Sequence, residues 1–355
     1  MAAATIMTAQ TRWRPRDETP ILPGPYLLFL GNTTEPGYAK TAFGLRDWAG
    51  DKCVGEYSLP GATVSTGLPA MTPAQAFAAG ARSMVIGVAN PGGIVPAGWL
   101  PAMAGAVTAG LDLISGMHTA LGSNLKLRHL AENSGRSLID VRFPPANIPV
   151  GTGRKRSGKR LLTVGTDCAL GKKYTALALA RAFGEKGIDC DFRATGQTGI
   201  MIAGSGIPID AVVADFLTGA AEMLSPDADA NHWDVIEGQG SLFHPAYAGV
   251  SMGLLHGSQP DVIVLCHKAG RDSILGLEDY ALPSIEEAIE LNLKLGSRTN
   301  AAVRCGGVSI NTSHLSTLEA DRLLDQECAR LNMAVADPMR GGAKFAALVE
   351  SCLGA

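Results

Sequence analysis

The sequence predicts an α/β protein, a Rossmann-like N-terminal domain followed by a P-loop NTPase-like domain built on a parallel sheet. Three observations point to it. Short apolar runs alternate with longer amphipathic stretches through both halves of the chain, as parallel strands joined by helical crossovers do. Glycine is abundant, at 43 residues, and aromatics make up only 5%, which suits many tight strand–helix turns. The apolar run Leu161-Leu162-Thr163-Val164 enters a loop bounded by Gly165 and Gly171, and an alanine- and leucine-rich helix leaves that loop, the setting a phosphate-binding loop needs.

The chain has 355 residues, enough for two domains of ordinary size. In the first half, taken as 1–150, strands are expected at 26–31, 54–59, 83–88, 111–115 and 138–141, with helices at 40–48, 73–79, 100–109 and 125–133. No G-x-G-x-x-G follows the first strand. The segment there reads Gly31-Asn32-Thr33-Thr34-Glu35-Pro36, so NAD binding is not indicated. The break falls near 144–159, where Pro144, Pro145, Pro149, Gly151, Gly153 and Gly158 gather with Arg154, Lys155, Arg156, Lys159 and Arg160. That composition reads as a solvated linker; its functional alternative is a clamp on a cofactor phosphate. In the second half, 151–355, strands are expected at 160–165, 190–194, 235–237, 262–267, 302–311 and 333–337. Helices are expected at 172–186, 209–223, 284–295 and 317–331.

The formal charge of −3, with acids and bases interspersed, gives no footprint for nucleic acid. Seven cysteines, an odd number with no C-x-x-C pair, support neither a disulfide framework nor a zinc site. Reduced thiols in the cytosol fit best. Arg12, Arg14 and Arg16 are not followed by a signal-peptide core, since 21–30 is interrupted by Pro23, Gly24 and Pro25. No apolar run reaches the ~20 residues that cross a bilayer. A soluble cytoplasmic protein with no membrane partner is expected, and apolar helix surfaces make a homo-oligomer the expected assembly.

The loop reads Gly165-Thr166-Asp167-Cys168-Ala169-Leu170-Gly171-Lys172-Lys173-Tyr174. Glycines let several backbone N–H groups point inward, the helix N-terminus adds partial positive charge, and Lys172 adds a mobile full one. It departs from G-x-x-x-x-G-K-[ST] in two ways. There is one more residue between the glycines, and Lys173 stands where magnesium enzymes carry Ser or Thr. Keeping the anion cradle while losing the metal ligand suits holding a pyrophosphate better than cleaving one, so no metal is expected.

Ligands of open parallel sheets sit beyond the carboxyl ends of the strands, so polar segments after strands should converge on this loop. One is Thr195-Gly196-Gln197-Thr198-Gly199, read as a second anion-friendly turn. Another is Glu237-Gly238-Gln239-Gly240-Ser241-Leu242-Phe243-His244, which crowds a carboxylate, an amide, a hydroxyl and an imidazole between glycines. A third is His256-Gly257-Ser258 with His267 and Arg271. Arg271 is the best carboxylate clamp, because its planar fork matches a carboxylate at two points. His118 ends a first-half strand and is a further candidate. Asp210 and Asp215 read as structural, and Asp337 with Arg340 as a weak base-binding loop.

The strings Gly-Thr-Asp-Cys-Ala at 165–169, Thr-Gly-Gln-Thr-Gly at 195–199, Val-Val-Ala-Asp-Phe at 212–216, Glu-Gly-Gln-Gly-Ser-Leu-Phe-His-Pro at 237–245 and Gly-Leu-Leu-His-Gly at 253–257 resemble a family long catalogued as a domain of unknown function. Its members are described as D-glutamate N-acetyltransferases. Lys40-Thr41-Ala42, Gly44-Leu45, Val85-Ile86-Gly87-Val88 and Gly116-Met117-His118-Thr119 resemble it too. The resemblance implies acetyl transfer from acetyl-CoA, a small-molecule partner, with the loop on the coenzyme's pyrophosphate or 3′-phosphate. More distantly, the loop and Glu237-Gly238 resemble dethiobiotin synthetase, which implies the alternative of a magnesium–ATP ligase or kinase. Lys173 stands where those enzymes carry Thr.

Acetyl transfer needs a base for the amine, donors for the carbonyl oxygen and a hold on the substrate. Glu237 or His244 is the expected base. Backbone N–H groups of 238–240 are the expected oxyanion donors, with Thr195, Gln197, Gln239, Ser241, His267 and Arg271 on the substrate and Arg193 as a second clamp. Cys168, just before a helix N-terminus, offers an acyl-cysteine route if its thiolate is stabilised there.

Overall fold

The computed structural model describes residues 22–89 and 91–354; Arg12, Arg14 and Arg16 lie outside them. By contact density the described chain forms two units. One runs to Asn147 and also takes in Ile200–Ser205. The other comprises Ile148–Gly199 and Gly206 onward. That short excursion is a departure from the single boundary at 150.

The first unit contains β1 (Tyr26–Gly31), α1 (Lys40–Trp48), β2 (Cys53–Ser58), α2 (Pro73–Ala78), β3 (Ser83–Ile86), α3 (Leu100–Thr108), β4 (Asp112–Ser115), α4 (Leu125–Asn133) and β5 (Leu138–Asp140). The strands form one parallel sheet in the order β2-β1-β3-β4-β5. Every residue of β1 is buried, which is why its sequence is a continuous apolar run rather than an alternating one. Leu27, Phe29, Met84, Ile86 and Leu113 pack with Met103 and Val107 of α3 in one core. Thr72 with Gln75 forms a capping box on α2, and Asn124 caps α4.

Asp140 ends β5 and both its carboxylate oxygens accept from the backbone N–H of Leu121, at 3.2 and 3.1 Å. Burial outweighs that bond and pushes its pKa from 3.8 up to about 7. The folded state therefore holds a proton that the unfolded chain has released, and stability falls as pH rises from about 4 to about 7. Asp140→Asn is expected to raise the urea midpoint at pH 8 and leave it nearly unchanged at pH 4. Equal effects at both pH values would refute the burial argument.

The second unit contains β6 (Lys159–Gly165), α5 (Lys172–Glu185), β7 (Cys190–Arg193), the start of α6 (Gln197–Ala203, whose residues from Ile200 on fall in the first unit), α7 (Leu217–Leu224), β8 (Trp233–Ile236), α8 (Ala248–Ser258), β9 (Val262–Lys268), β10 (Ser273–Ile274), β11 (Leu277–Ala281), α9 (Ile285–Gly296), β12 (Arg304–Asn311), α10 (Thr317–Leu331), β13 (Val335–Ala336) and α11 (Gly342–Leu353). Its six-stranded sheet runs β13-β12-β9-β6-β8-β7, with every pair parallel, while β10 and β11 form a separate antiparallel hairpin. The period-2 rule divides the core. Leu162, Ile236, Ile263 and Leu265 face α7, α8 and α9. Leu161, Val235, Val262 and Val264 face Phe183 of α5 and Leu348 of α11. Ser284 with Glu287 and Ser316 with Glu319 complete capping boxes that start α9 and α10. With β6 between β9 and β8, whatever leaves the end of β6 lies beside whatever leaves its two neighbours.

Three expectations are corrected. The helix expected over 209–223 is two 3-10 turns, Ile209–Ala211 and Ala214–Phe216, followed by α7. Pro208 precedes the first turn, and the β-branched pair Val212 and Val213 adopts extended backbone between them. Of the turn expected at 195–199, residues 197–199 are the first turn of a helix that runs to Ala203. In the basic cluster, Arg154, Lys155 and Lys159 are exposed as a solvated linker requires, but Arg156 and Arg160 are buried. Arg160 is fully buried and donates to the carbonyls of Arg156, Ser157, Ser225 and Pro226. Arg156 binds the Ser225 carbonyl at 2.7 Å, the Gly257 carbonyl at 2.8 Å and Gln259 Oε1 at 3.1 Å. These guanidiniums bolt the chain entering β6 to the segments after α7 and α8.

Candidate functional site

β6 ends at Gly165, and the chain turns at once. Thr166 N–H donates to the Cys266 carbonyl at 3.2 Å, and its hydroxyl lies 3.0 Å from His267 Nδ1. Asp167, fully buried, accepts from its neighbour Cys168 N–H at 2.6 Å through Oδ1. Its Oδ2 accepts from Arg271 and from Leu275 N–H of the β10–β11 turn, each at 2.9 Å. Ala169 has φ +52° and Gly171 φ +113°. Those left-handed residues fold the chain back on itself, and for Ala169 the conformation costs of order 1 kcal/mol that the surrounding bonds must hold. Asn311, at the end of β12, steadies the Leu170 carbonyl at 3.4 Å.

Lys172 opens α5. It is buried, and its Nζ donates to the Asp167 carbonyl at 2.7 Å. Burial lowers its pKa, against the pull of Cys168, Cys266, Asp167 and Glu237. An ammonium held back on a loop carbonyl, next to a helix N-terminus, is a donor set for an anion. Lys173 follows, half-buried, with its ammonium 5.1 Å from the Tyr174 ring centre.

Glu237 follows β8 and is buried. Its Oε2 accepts from the N–H groups of Thr195 and Gly196, both at 3.0 Å. Burial raises its pKa most, while Lys173 and those two amides lower it. Gly238 has to be glycine: a Cβ there would overlap the Thr163 carbonyl and come within 3.1 Å of Lys172 Cδ. Its N–H donates to Thr163 Oγ1 at 2.9 Å. The turn after β8 is thus pressed against the start of α5. Gln239 Nε2 donates to Thr195 Oγ1 at 3.0 Å, and Thr195 Oγ1 donates to the Glu237 carbonyl at 2.6 Å. Ser241 is buried, and its Oγ accepts from Phe243 N–H at 3.2 Å. A recess lined by Thr163, Gly165, Gly238, Gln239, Ser241 and Asn292 opens beside the loop; leucine and valine side chains share its lining with the amides and hydroxyls, and no charged side chain does.

His244 is buried against the Tyr247 ring, centroid to centroid 4.4 Å. One of its ring nitrogens, an Asp167 oxygen and Cys168 Sγ all lie within 4.8 Å of one another, so the distant end of this segment returns to the phosphate loop. Its Nδ1 accepts the Ala246 N–H at 3.1 Å. A neutral imidazole with an acceptor at Nδ1 carries its proton on Nε2. In that form His244 is a donor at Nε2.

The start of α5 gathers Gly165 through Tyr174, Thr195, Glu237, Gln239, Ser241, His244, His267 and Arg271. Other candidates are engaged elsewhere. Gln197 donates to Asp210 at 3.0 Å. Arg193 pairs with Asp234 at 2.6 Å and Asp191 at 3.0 Å. His256 sits in the last turn of α8, ahead of β9 rather than after a strand, and contacts the Leu295 carbonyl at 3.2 Å. Arg271 is spent largely on Asp167 and the Cys168 carbonyl, the latter at 2.9 Å. Asp337 accepts from Thr312 N–H at 2.9 Å, and Arg340 Nε donates to Thr312 Oγ1 at 2.7 Å, so that pair ties two strand ends together. Burial pushes the Cys168 thiol up more than Lys172 pulls it down, which works against the thiolate an acyl-cysteine route needs. His118 lies after β4 in the first unit, its N–H donating to the Gly93 carbonyl at 2.9 Å. Sequence reasoning missed Asn311 and the Leu275 amide; neither position carries a glycine or charge pattern that would have marked it.

Fold and site together define a two-unit α/β protein whose second unit is a P-loop domain with Lys173 in place of a hydroxyl after the loop lysine. Comparison with known proteins agrees. Residues 149–348 match a family described as a P-loop domain of unknown function, DUF1611_C, and residues 56–144 match its Rossmann-like partner, DUF1611_N. A protein of Pseudoalteromonas named D-glutamate N-acetyltransferase is 48% identical over 318 residues, covering 90% of this chain and 96% of that one. One of Tritonibacter scottomollicae with the same name is 49% identical over 319 residues, with the same coverage. The crystal structure of a DUF1611 family protein from Anabaena variabilis superposes with a TM-score of 0.85 at 31% identity, covering 94% of this chain and all of that one. The chain belongs to the DUF1611 family. No described helix is long and apolar enough to cross a membrane.

Proposed function

We propose that this chain transfers the acetyl group of acetyl-CoA to the amine of D-glutamate. One observation carries the reading: the loop keeps a buried ammonium at the start of α5 while Lys173 replaces the hydroxyl that a magnesium–nucleotide site uses. That donor set fits a coenzyme diphosphate. The names of the two relatives support the same reaction.

The coenzyme supplies an activated thioester carbonyl. The residues of the chain do the rest. Lys172 moves from the Asp167 carbonyl to a phosphate oxygen, with the helix N-terminus of α5 behind it. Glu237 has Oε2 fixed by two amides and presents Oε1 as the base for the acceptor's ammonium. Its raised pKa brings it nearer the range a base at neutral pH needs. His244 Nε2–H donates toward the carbonyl oxygen as it gains charge. Gln239 and Ser241 offer neutral hydrogen-bonding partners to the acceptor, and Arg271, anchored by Asp167, offers its outer edge to a carboxylate. The seven unpaired cysteines suit a reducing compartment, and we place the protein in the cytosol.

The test is thiol release from acetyl-CoA across D- and L-amino acids. Release with D-glutamate well above that with L-glutamate is expected. No release with D-glutamate would remove the assignment.

A further inference from the structure

We propose that Asn292 holds the pantetheine arm of the coenzyme, its carboxamide oxygen accepting an amide N–H of that arm in the recess beside the phosphate loop. This rests on the reading that the loop binds CoA.

Asn292 is out of pattern. The buried face of α9 is Ile285, Ala288, Ile289, Asn292 and Gly296, the spacing of an apolar stripe turned to a core. Ile285, Ala288 and Ile289 pack in one core with Leu254 and Leu265. The next place on that stripe is a carboxamide, 2% exposed. Its Nδ2 donates to the Ala288 carbonyl at 2.7 Å. That bond fixes which way the amide faces, because the reverse would set two oxygens against each other. Oδ1 is then the free end. It takes no hydrogen bond from any described residue, and it is not sealed in as the orphaned Gln259 Nε2 is. Asn292 lines the recess, so the oxygen opens there. A buried carbonyl oxygen without a donor costs stability, and an apolar side chain would suit the stripe better. The missing donor comes from a ligand.

The lining selects the kind of donor. Leu162, Val164, Leu242 and Leu254 supply apolar walls, and Gly165 belongs both to the recess and to the phosphate loop. No charged side chain lines the recess, and the Lys172 ammonium lies 3.2 Å from where a Cβ on Gly165 would stand. An acceptor's ammonium placed here would leave water without a carboxylate to meet it and with a second positive charge at hand. A neutral amide N–H on an aliphatic chain meets neither penalty. The pantetheine arm of CoA is such a chain, and it is joined directly to the diphosphate.

Calorimetry with CoA and with adenosine 3′-phosphate 5′-diphosphate, which keeps the phosphates and lacks the arm, tests this for the wild type, Asn292→Ala and Asn292→Leu. The wild type is expected to bind CoA more tightly than the armless nucleotide. Asn292→Ala, which removes the oxygen, is expected to weaken CoA binding about fivefold, and Asn292→Leu, which also fills the recess, to weaken it further. Both variants should bind the armless nucleotide within about twofold of the wild type, which separates a lost contact from a damaged fold. Unchanged CoA affinity in Asn292→Leu would overturn the proposal, and so would equal losses for the two ligands. A raised KM for D-glutamate in Asn292→Ala with CoA affinity intact would overturn it too, by giving the recess to the acceptor. If the wild type binds neither ligand, the coenzyme placement itself fails and this assignment falls with it.

Discussion

Glu237→Gln is expected to lower kcat by about 10²- to 10⁴-fold, the range that removal of a general base commonly costs, while KM for CoA changes little. The substitution is close to isosteric. The amide oxygen of Gln can still accept from Thr195 and Gly196, which hold Oε2 now at 3.0 Å, so the turn after β8 should keep its shape. What disappears is the proton acceptor. The pH profile discriminates further. Burial raises the Glu237 pKa, so the acidic limb of kcat/KM should lie above the ordinary carboxylate range, and Glu237→Gln should lack that limb. Stability carries the same signature. The folded state binds the Glu237 proton more readily than the unfolded chain, so wild-type stability falls as pH rises from the ordinary glutamate value through the raised one. The variant should lose that slope. A Glu237→Gln enzyme with wild-type kcat would end the assignment and leave Glu237 as a structural carboxylate holding the start of α6.

The phosphate loop was legible in the sequence because its parts are contiguous: a strand, bounding glycines, a lysine and a helix within about a dozen residues. The first-half sheet was legible for a related reason. Its central strand β1 is a continuous apolar run, expected and found at the same residues. Failures came where a residue's role is fixed by partners far along the chain. Arg156 and Arg160 look like part of a charge run, yet their partners are carbonyls and an amide at 225, 226, 257 and 259. Nothing local distinguishes a bolt from a solvated lysine-rich strip. Arg271 was read by its chemistry as a clamp on a substrate carboxylate, and the carboxylate it meets is Asp167 of the same chain. His244 was read by residue type alone. The donor at Ala246 N–H sets which nitrogen carries the proton, and that bond depends on a turn no periodicity announces. α8 went unread because it is apolar on nearly every side and rich in glycine, so neither period stands out.

Lys172→Met should separate binding from folding more sharply than any other single change. A methionine matches the lysine stem in length and carries no charge. The lysine's charge-assisted bond to phosphate is worth roughly 1.5–3 kcal/mol, so CoA affinity should fall by about one to two orders of magnitude. Without ligand the expectation reverses. The ammonium is buried, burial has lowered its pKa, and the hydrogen bond recorded for it runs to one loop carbonyl. Removing an imperfectly paired buried charge is neutral or stabilising when an apolar group fills the space. The unliganded variant should therefore melt at or above the wild-type temperature. Its pH dependence should also change: the unfolded chain binds this proton more tightly than the folded one, so wild-type stability rises with pH toward the ordinary lysine value of 10.5, and the variant lacks that rise. CoA should raise the wild-type melting temperature, by mass action at about 2.7 kcal/mol for a hundredfold excess over Kd, and at the same concentration should stabilise the variant by only about 0.4–1.4 kcal/mol. A purely structural lysine would give the opposite pair, a lower melting temperature and intact CoA binding. The ammonium is kept at a cost to the empty fold because it is needed when the anion arrives.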